Sequence, residues 1–112
     1  MPIKVMIVDD VKETRDNVRR LLALEDEIVV VGEAENGEEA VEKISKLRPN
    51  IVLMDINMPV LDGLGATEQL SLRFPEVMVI MMTVQGELEY IKHAMTVGAR
   101  DYITKPFSSE DL

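Results

Sequence analysis

The sequence predicts an α/β fold in which a doubly wound, five-stranded parallel sheet carries helices on both faces. Three observations lead there. Short apolar runs of β-type residues alternate with segments whose apolar residues recur at intervals of three and four. The third and fourth runs, Ile51–Met54 and Val77–Met82, are continuously apolar, as strands buried on both sides are. Each intervening segment is about the length of one helix, which implies right-handed crossovers between parallel strands.

Taken in order, the first strand is Ile3–Val8, followed by a helical stripe of Val11, Thr14, Val18 and Leu21. Ile28–Val31 is the second strand. Asn36 and Glu39 then have capping-box spacing and open a helix with Ala40, Ile44 and Leu47 on one face. Pro49 stands just beyond it, where it cannot extend the helix. The third strand runs into Asp55. Leu64, Thr67, Leu70 and Phe74 form the third stripe, stopped by Pro75. After the fourth strand, Leu88, Ile91 and Met95 mark a helix closed by Gly98, a residue suited to positive φ. Tyr102–Thr104 is a weaker fifth strand. The terminal Ser108-Ser109-Glu110-Asp111-Leu112 reads as a cap and the first residues of a further helix.

Composition excludes several functions. A chain of 112 residues is one domain able to bury a single core. With 12 basic against 21 acidic residues its net charge is −9, so nucleic acid and anionic membrane are poor direct partners. There is no cysteine, hence no disulfide framework or thiolate metal site. The N-terminal MPIKVMIVDD lacks the form of a secretory leader, and the longest apolar run is too short to span a bilayer. The expected location is cytoplasmic.

In a parallel sheet of this kind, ligands bind outside the carboxyl ends of the strands. Whatever follows each strand therefore gathers on one rim: Asp9 and Asp10, Asp55 with Asn57, Thr83, and Lys105 followed by Pro106. Each has an ordinary reading alone. Asp10 and Glu13 could cap the first helix, Asp55 could be a turn residue, Thr83 a strand residue and Lys105 a solvated charge. His93 reads as a surface residue, and the methionines, Met81 and Met82 among them, as core packing.

Together those readings fail. Two carboxylates about 4 Å apart at an effective dielectric of 20 repel by roughly 4 kcal/mol. Three in one crevice would consume much of a small domain's ~5–15 kcal/mol of stability. One lysine cannot offset that. A hard divalent cation can, and Mg²⁺ favours oxygen ligands while keeping several waters. Such an ion bridges carboxylates and a phosphoryl group. Lys105 and the Thr83 hydroxyl then remain to hold phosphoryl oxygens, and Asp55 is the candidate nucleophile, since carboxylates form acyl phosphates.

These residues resemble a family. VDD after the first strand, LMDINMPVLDG, MMT after the fourth strand and YITKP are similar to the receiver domain of bacterial response regulators, over essentially the whole chain. The resemblance implies a flavodoxin-like strand order 2-1-3-4-5, already known for the family's chemotaxis regulator. It implies a fifth helix too, lying largely beyond Leu112, and hence a receiver domain over residues 1–112 in the N-terminal part of a longer protein. By position, Asp55 matches the phosphoacceptor. Asp10 and Asp55 match direct Mg²⁺ ligands, Asp9 a ligand largely through water, and Asn57 one through its backbone carbonyl. Lys105 matches the phosphoryl-pairing lysine, Lys105-Pro106 a cis peptide, Thr83 the switch hydroxyl and Tyr102 the switch aromatic. Val84, where receivers more often carry Ala, Gly or Ser, borders the access to Asp55 with Gln85, and should slow phosphoryl loss.

The implied partner is a sensor histidine kinase or phosphotransfer protein, and the implied role is a signalling phosphoacceptor that assists its own chemistry. A C-terminal output domain and a homodimer formed on phosphorylation belong to the same expectation. The run MMTVQGELEY…GARDYITKPFS resembles receivers fused to partitioning-type ATPases of tight-adherence pilus assembly, whereas DNA-binding outputs are commoner in the family. A Mg²⁺-dependent aspartyl-phosphate phosphatase needs an aspartate where Asn57 stands, and a flavin carrier's phosphate would be repelled by Asp9-Asp10. A receiver-like scaffold that is never phosphorylated would normally lack the acid pair, the acceptor or the lysine.

Overall fold

The structure, a computed structural model, describes residues 2–55, 63–84 and 88–105; of these, 63, 64, 83, 84, 88–91, 104 and 105 are described by backbone alone. The elements are β1 (Ile3–Val8), α1 (Lys12–Leu22), β2 (Ile28–Ala34), α2 (Gly37–Leu47), β3 (Ile51–Asp55), α3 (Gly63–Arg73), β4 (Met78–Val84), α4 (Leu88–Val97) and β5 (Asp101–Lys105). All pairings are parallel, in the order β2-β1-β3-β4-β5. The expected sheet order therefore holds. The expected fifth helix lies outside the described residues.

Strand alternation divides the core. Met6, Val8, Val52, Met54, Val79 and Met81 face α2, α3 and α4, and pack on Ala40, Ile44, Ala66, Leu70 and Ala94. Val5, Ile7, Leu53 and Met82 face the other way, toward Val18 and Leu22 of α1. The period of two along each strand makes this division strict, because a one-residue slip would exchange the faces.

β2 breaks the alternation once. Val5 pairs with Val30 but Met6 pairs with Gly32, so Val31 is an extra residue. The bulge reverses parity in the rest of the strand. Ile28 and Val30 belong to the α1 side, yet Ala34 reaches the α2 side and Glu33, level with Ile7, turns toward α1. Gly32 lies where a Cβ would come within 2.5 Å of Leu47 Cδ1, so α2 packs directly on this backbone.

Two helix stripes differ from the sequence reading. In α1 the buried residues are Arg15, Val18 and Leu22, while Val11 is 48% exposed. Val11 is the N-cap, where the chain has not yet entered the helix, so its side chain does not join the stripe. In α4, Ala94 is buried and Met95 exposed, a rotation of one position. The Asn36 cap of α2 forms as expected, with Asn36 Oδ1 accepting the Glu39 N–H at 2.8 Å, while the Glu39 carboxylate pairs with Lys43 at 2.8 Å. His93 is exposed, and Met81 and Met82 are core.

Helix ends provide a stability test. Arg48, which ends α2, has φ 49° and ψ 55°, a left-handed conformation that disfavours a side chain. Gly98 after α4 has φ 119°, and a Cβ there would sit 2.5 Å from Ser71, whose hydroxyl donates to the Val97 carbonyl at 2.6 Å. Arg48→Gly should stabilise the domain by about 0.5–1 kcal/mol. Gly98→Ala should destabilise it by about 2 kcal/mol or more. Urea unfolding midpoints at constant m value check both signs.

Candidate functional site

Parallel pairing builds the site. β1 and β3 run in register from Val5 with Ile51 to Val8 with Met54. One further step along both strands brings Asp9 level with Asp55, on strands separated by about 4.8 Å. Asp10 follows Asp9 directly. The result is a group in which Asp9, Asp10 and Asp55 each offer an oxygen within 4.8 Å of the others. Asp9 is 1% exposed and Asp55 8%, whereas Asp10 is open to solvent.

The turn carrying the acid pair is held from several directions. The Asp9 N–H donates to the Ala34 carbonyl at 3.1 Å, tying the turn to the end of β2. Asp9 Oδ1 accepts the Val11 N–H at 2.9 Å, a local turn in which an aspartate side chain bonds the backbone two residues on. The Asp9 carbonyl accepts from Arg15 Nη1 at 2.6 Å. Val11, not Asp10, occupies the N-cap of α1 and makes no side-chain cap hydrogen bond.

The remaining rim residues follow from the other ladders. Asp55 pairs with Met82 and Met82 with Ile103, a row that crosses β3, β4 and β5. Thr83, paired with Thr104, is one residue past that row; Val84 and Lys105, paired together, are two past it. The backbone thus brings all three to the carboxyl end that holds Asp55. Tyr102 lies in β5, 42% exposed, with its N–H bonded to the Asp101 carboxylate at 2.8 Å. Asn57, Gln85 and Pro106 lie outside the described residues.

The donor set suits a small, hard cation. Mg²⁺ binds oxygens at about 2.0–2.1 Å, so two direct ligands stand at most about 4.2 Å apart. The three oxygens, all within 4.8 Å of one another, lie close to that range. Burial of Asp9 and Asp55 beside an exposed Asp10 leaves one side for solvent ligands, which this ion retains.

A second concavity lies away from the acidic group. A groove of about 400 Å³ lies between α1, β2 and α2, and Arg15, Glu33 and Lys43 are among its walls. Its charges largely satisfy one another: Lys12 pairs with Asp16 at 3.1 Å, Lys43 with Glu39 at 2.8 Å and Arg15 with Glu33 at 3.1 Å. Arg15 and Glu33 escaped the sequence reading. The available sign was a cation spaced three and seven residues from Val18 and Leu22, on the face that turns inward.

Asp10→Asn tests the repulsion. It should raise the melting temperature of the metal-free protein by lowering charge in the cluster. Mg²⁺ at a hundredfold excess over its dissociation constant should stabilise wild type by about 2.7 kcal/mol. In Asp10→Asn that gain at the same Mg²⁺ concentration should fall by more than half. Scanning calorimetry with and without Mg²⁺ reads both effects, and suits a protein without tryptophan.

Comparison with known proteins agrees with this geometry. The family model described as "Response regulator receiver domain" matches residues 5–112. The transcriptional regulatory protein DegU of Brevibacillus brevis is 39% identical over 110 residues, which are 98% of this chain and 47% of that protein. The chain thus spans about half the length of that relative. The chemotaxis protein CheY of Listeria monocytogenes is 39% identical over 108 residues, covering 96% of this chain and 90% of that one. A chain of the CheX–CheY–BeF3–Mg²⁺ complex from Borrelia burgdorferi superposes with a TM-score of 0.90 at 28% identity, covering 98% of this chain and 83% of that one.

Proposed function

Because this chain belongs to the response regulator receiver family, we propose that its Asp55 is the residue that takes the phosphoryl group. The chain is a receiver domain of the two-component type, and such domains are signalling phosphoacceptors. What carries the assignment to Asp55 is the β1–β3 register, which sets it level with Asp9 at the end of a strand buried on both faces.

The donor is a phosphohistidine on a sensor histidine kinase or phosphotransfer protein. An Asp55 carboxylate oxygen attacks phosphorus in line with the phosphorus–nitrogen bond. That bond breaks, its electron pair stays on the imidazole nitrogen, and the acyl phosphate remains on Asp55. Mg²⁺, when bound, supplies charge neutralisation for the phosphoryl oxygens and the carboxylates. Asp10 and Asp55 would hold it directly, Asp9 largely through water, and Asn57 through its backbone carbonyl. Lys105 pairs with the phosphoryl charge, and Thr83 donates a hydrogen bond to it. Tyr102, 42% exposed on the edge strand, turns inward as Thr83 is drawn to the phosphoryl group.

The domain over residues 1–112 then works within a longer, cytoplasmic protein whose output module follows it. The length of the DegU relative supports that view. A second copy of the domain is the expected partner after phosphorylation. Neither the phosphatase nor the scaffold reading is favoured by the family assignment.

Two measurements test this. With Mg²⁺ and acetyl phosphate, intact-mass analysis should show one added HPO₃ on wild type and none on Asp55→Asn; equal labelling of both would overturn the assignment. By the family match Val84 borders the access to Asp55, and valine is β-branched and stiff at χ1. Val84→Ala should speed both loading from acetyl phosphate and decay after the donor is removed, by several-fold each. Unchanged decay would mean that access does not set the lifetime.

A further inference from the structure

Arginine is a costly residue to bury, yet Arg15 is 8% exposed on the face of α1 that otherwise presents Val18 and Leu22. A guanidinium there requires partners for its donors. It has them in two directions: Nη1 donates to the Asp9 carbonyl at 2.6 Å, and Nε donates to Glu33 Oε1 at 3.1 Å. Glu33 is held in turn, its carboxylate by Arg19 and its backbone carbonyl by Lys43 Nζ at 2.7 Å.

The atom that Arg15 grips matters. The Asp9 carbonyl and the Asp10 N–H share one rigid peptide plane. Fixing that carbonyl fixes the plane from which Asp10 departs, while the Val11 N–H fixes the carboxylate of Asp9. We propose that Arg15, braced by Glu33, is a positioning residue that holds the Asp9–Asp10 turn at the spacing a divalent cation requires. This rests on the phosphoacceptor reading, in which Asp10 and Asp55 hold Mg²⁺. Glu33 can brace α1 only because the extra residue Val31 turns it to that side of the sheet.

Lysine cannot substitute. Its ammonium is a single point of charge, whereas the guanidinium fork reaches two acceptors on different edges. Residues that orient metal ligands typically change affinity by about 10–100-fold when removed.

The test uses the whole chain, with folding checked by circular dichroism and Mg²⁺ affinity measured by titration calorimetry. Arg15→Met should weaken Mg²⁺ binding about tenfold, and Arg15→Lys should fail to restore it. Glu33→Gln should weaken it several-fold. The double variant should bind no more weakly than Arg15→Met, because the two residues act as one unit. In metal-free protein, hydrogen exchange at the Val11 amide should quicken in Arg15→Met. A folded Arg15→Met that binds Mg²⁺ like wild type, or an Arg15→Lys that does, overturns the proposal. So does an unchanged Val11 amide in Arg15→Met. If Arg15→Met does not fold, Glu33→Gln decides, and unchanged affinity overturns it. Wild type that fails to bind Mg²⁺ overturns the phosphoacceptor reading and the positioning role together, whereas normal wild-type binding with unaffected variants overturns the positioning role alone.

Discussion

Three carboxylates whose oxygens lie within 4.8 Å of one another repel, the more so where Asp9 and Asp55 are buried. The rest of the fold has to hold them there. It does so with its two most buried strands. Met6, Ile7 and Val8 of β1 and Val52 and Met54 of β3 are wholly inaccessible to solvent, so neither strand can slide without turning an apolar face toward the wrong layer. The repulsion is therefore borne by the whole core.

The two layers contribute differently. The α2–α4 side is packed with small residues against methionines, Ala40, Ala66 and Ala94 against Met6, Met54 and Met81. Thr67, fully buried in α3, adds a hydrogen bond to the Met81 thioether at 3.4 Å. The α1 side is more polar at its upper end, where Arg15 and Glu33 join α1 to β2 beside the acid pair. The apolar layer thus fixes the register, and the polar corner aims the turn.

Much of this was legible in the sequence, and the reasons are local. The strand runs are β-branched and apolar and bounded by turn residues, and Asn36 with Glu39 announces a cap that forms as expected. Asp9, Asp10 and Asp55 were identifiable because a parallel sheet sends every carboxyl end to one rim. Arg15 was not, because the stripe Val11, Thr14, Val18, Leu21 fits helical periodicity nearly as well as the observed Arg15, Val18, Leu22. A rotation of one position leaves the pattern intact and changes which residue is buried.

The sequence by itself determined the element order, the parallel class and the composition of the acidic rim, because periodicity and turn chemistry are properties of neighbouring residues. Which strand lies beside which follows from the family resemblance and not from periodicity, and is realised in the sheet order. Only the tertiary structure decided the direction of Glu33. A single extra residue, Val31, reverses the parity of β2, and nothing in the alternation of Ile28 to Ala34 announces it. A bulge exists only between two strands, so it has no expression in either strand read alone.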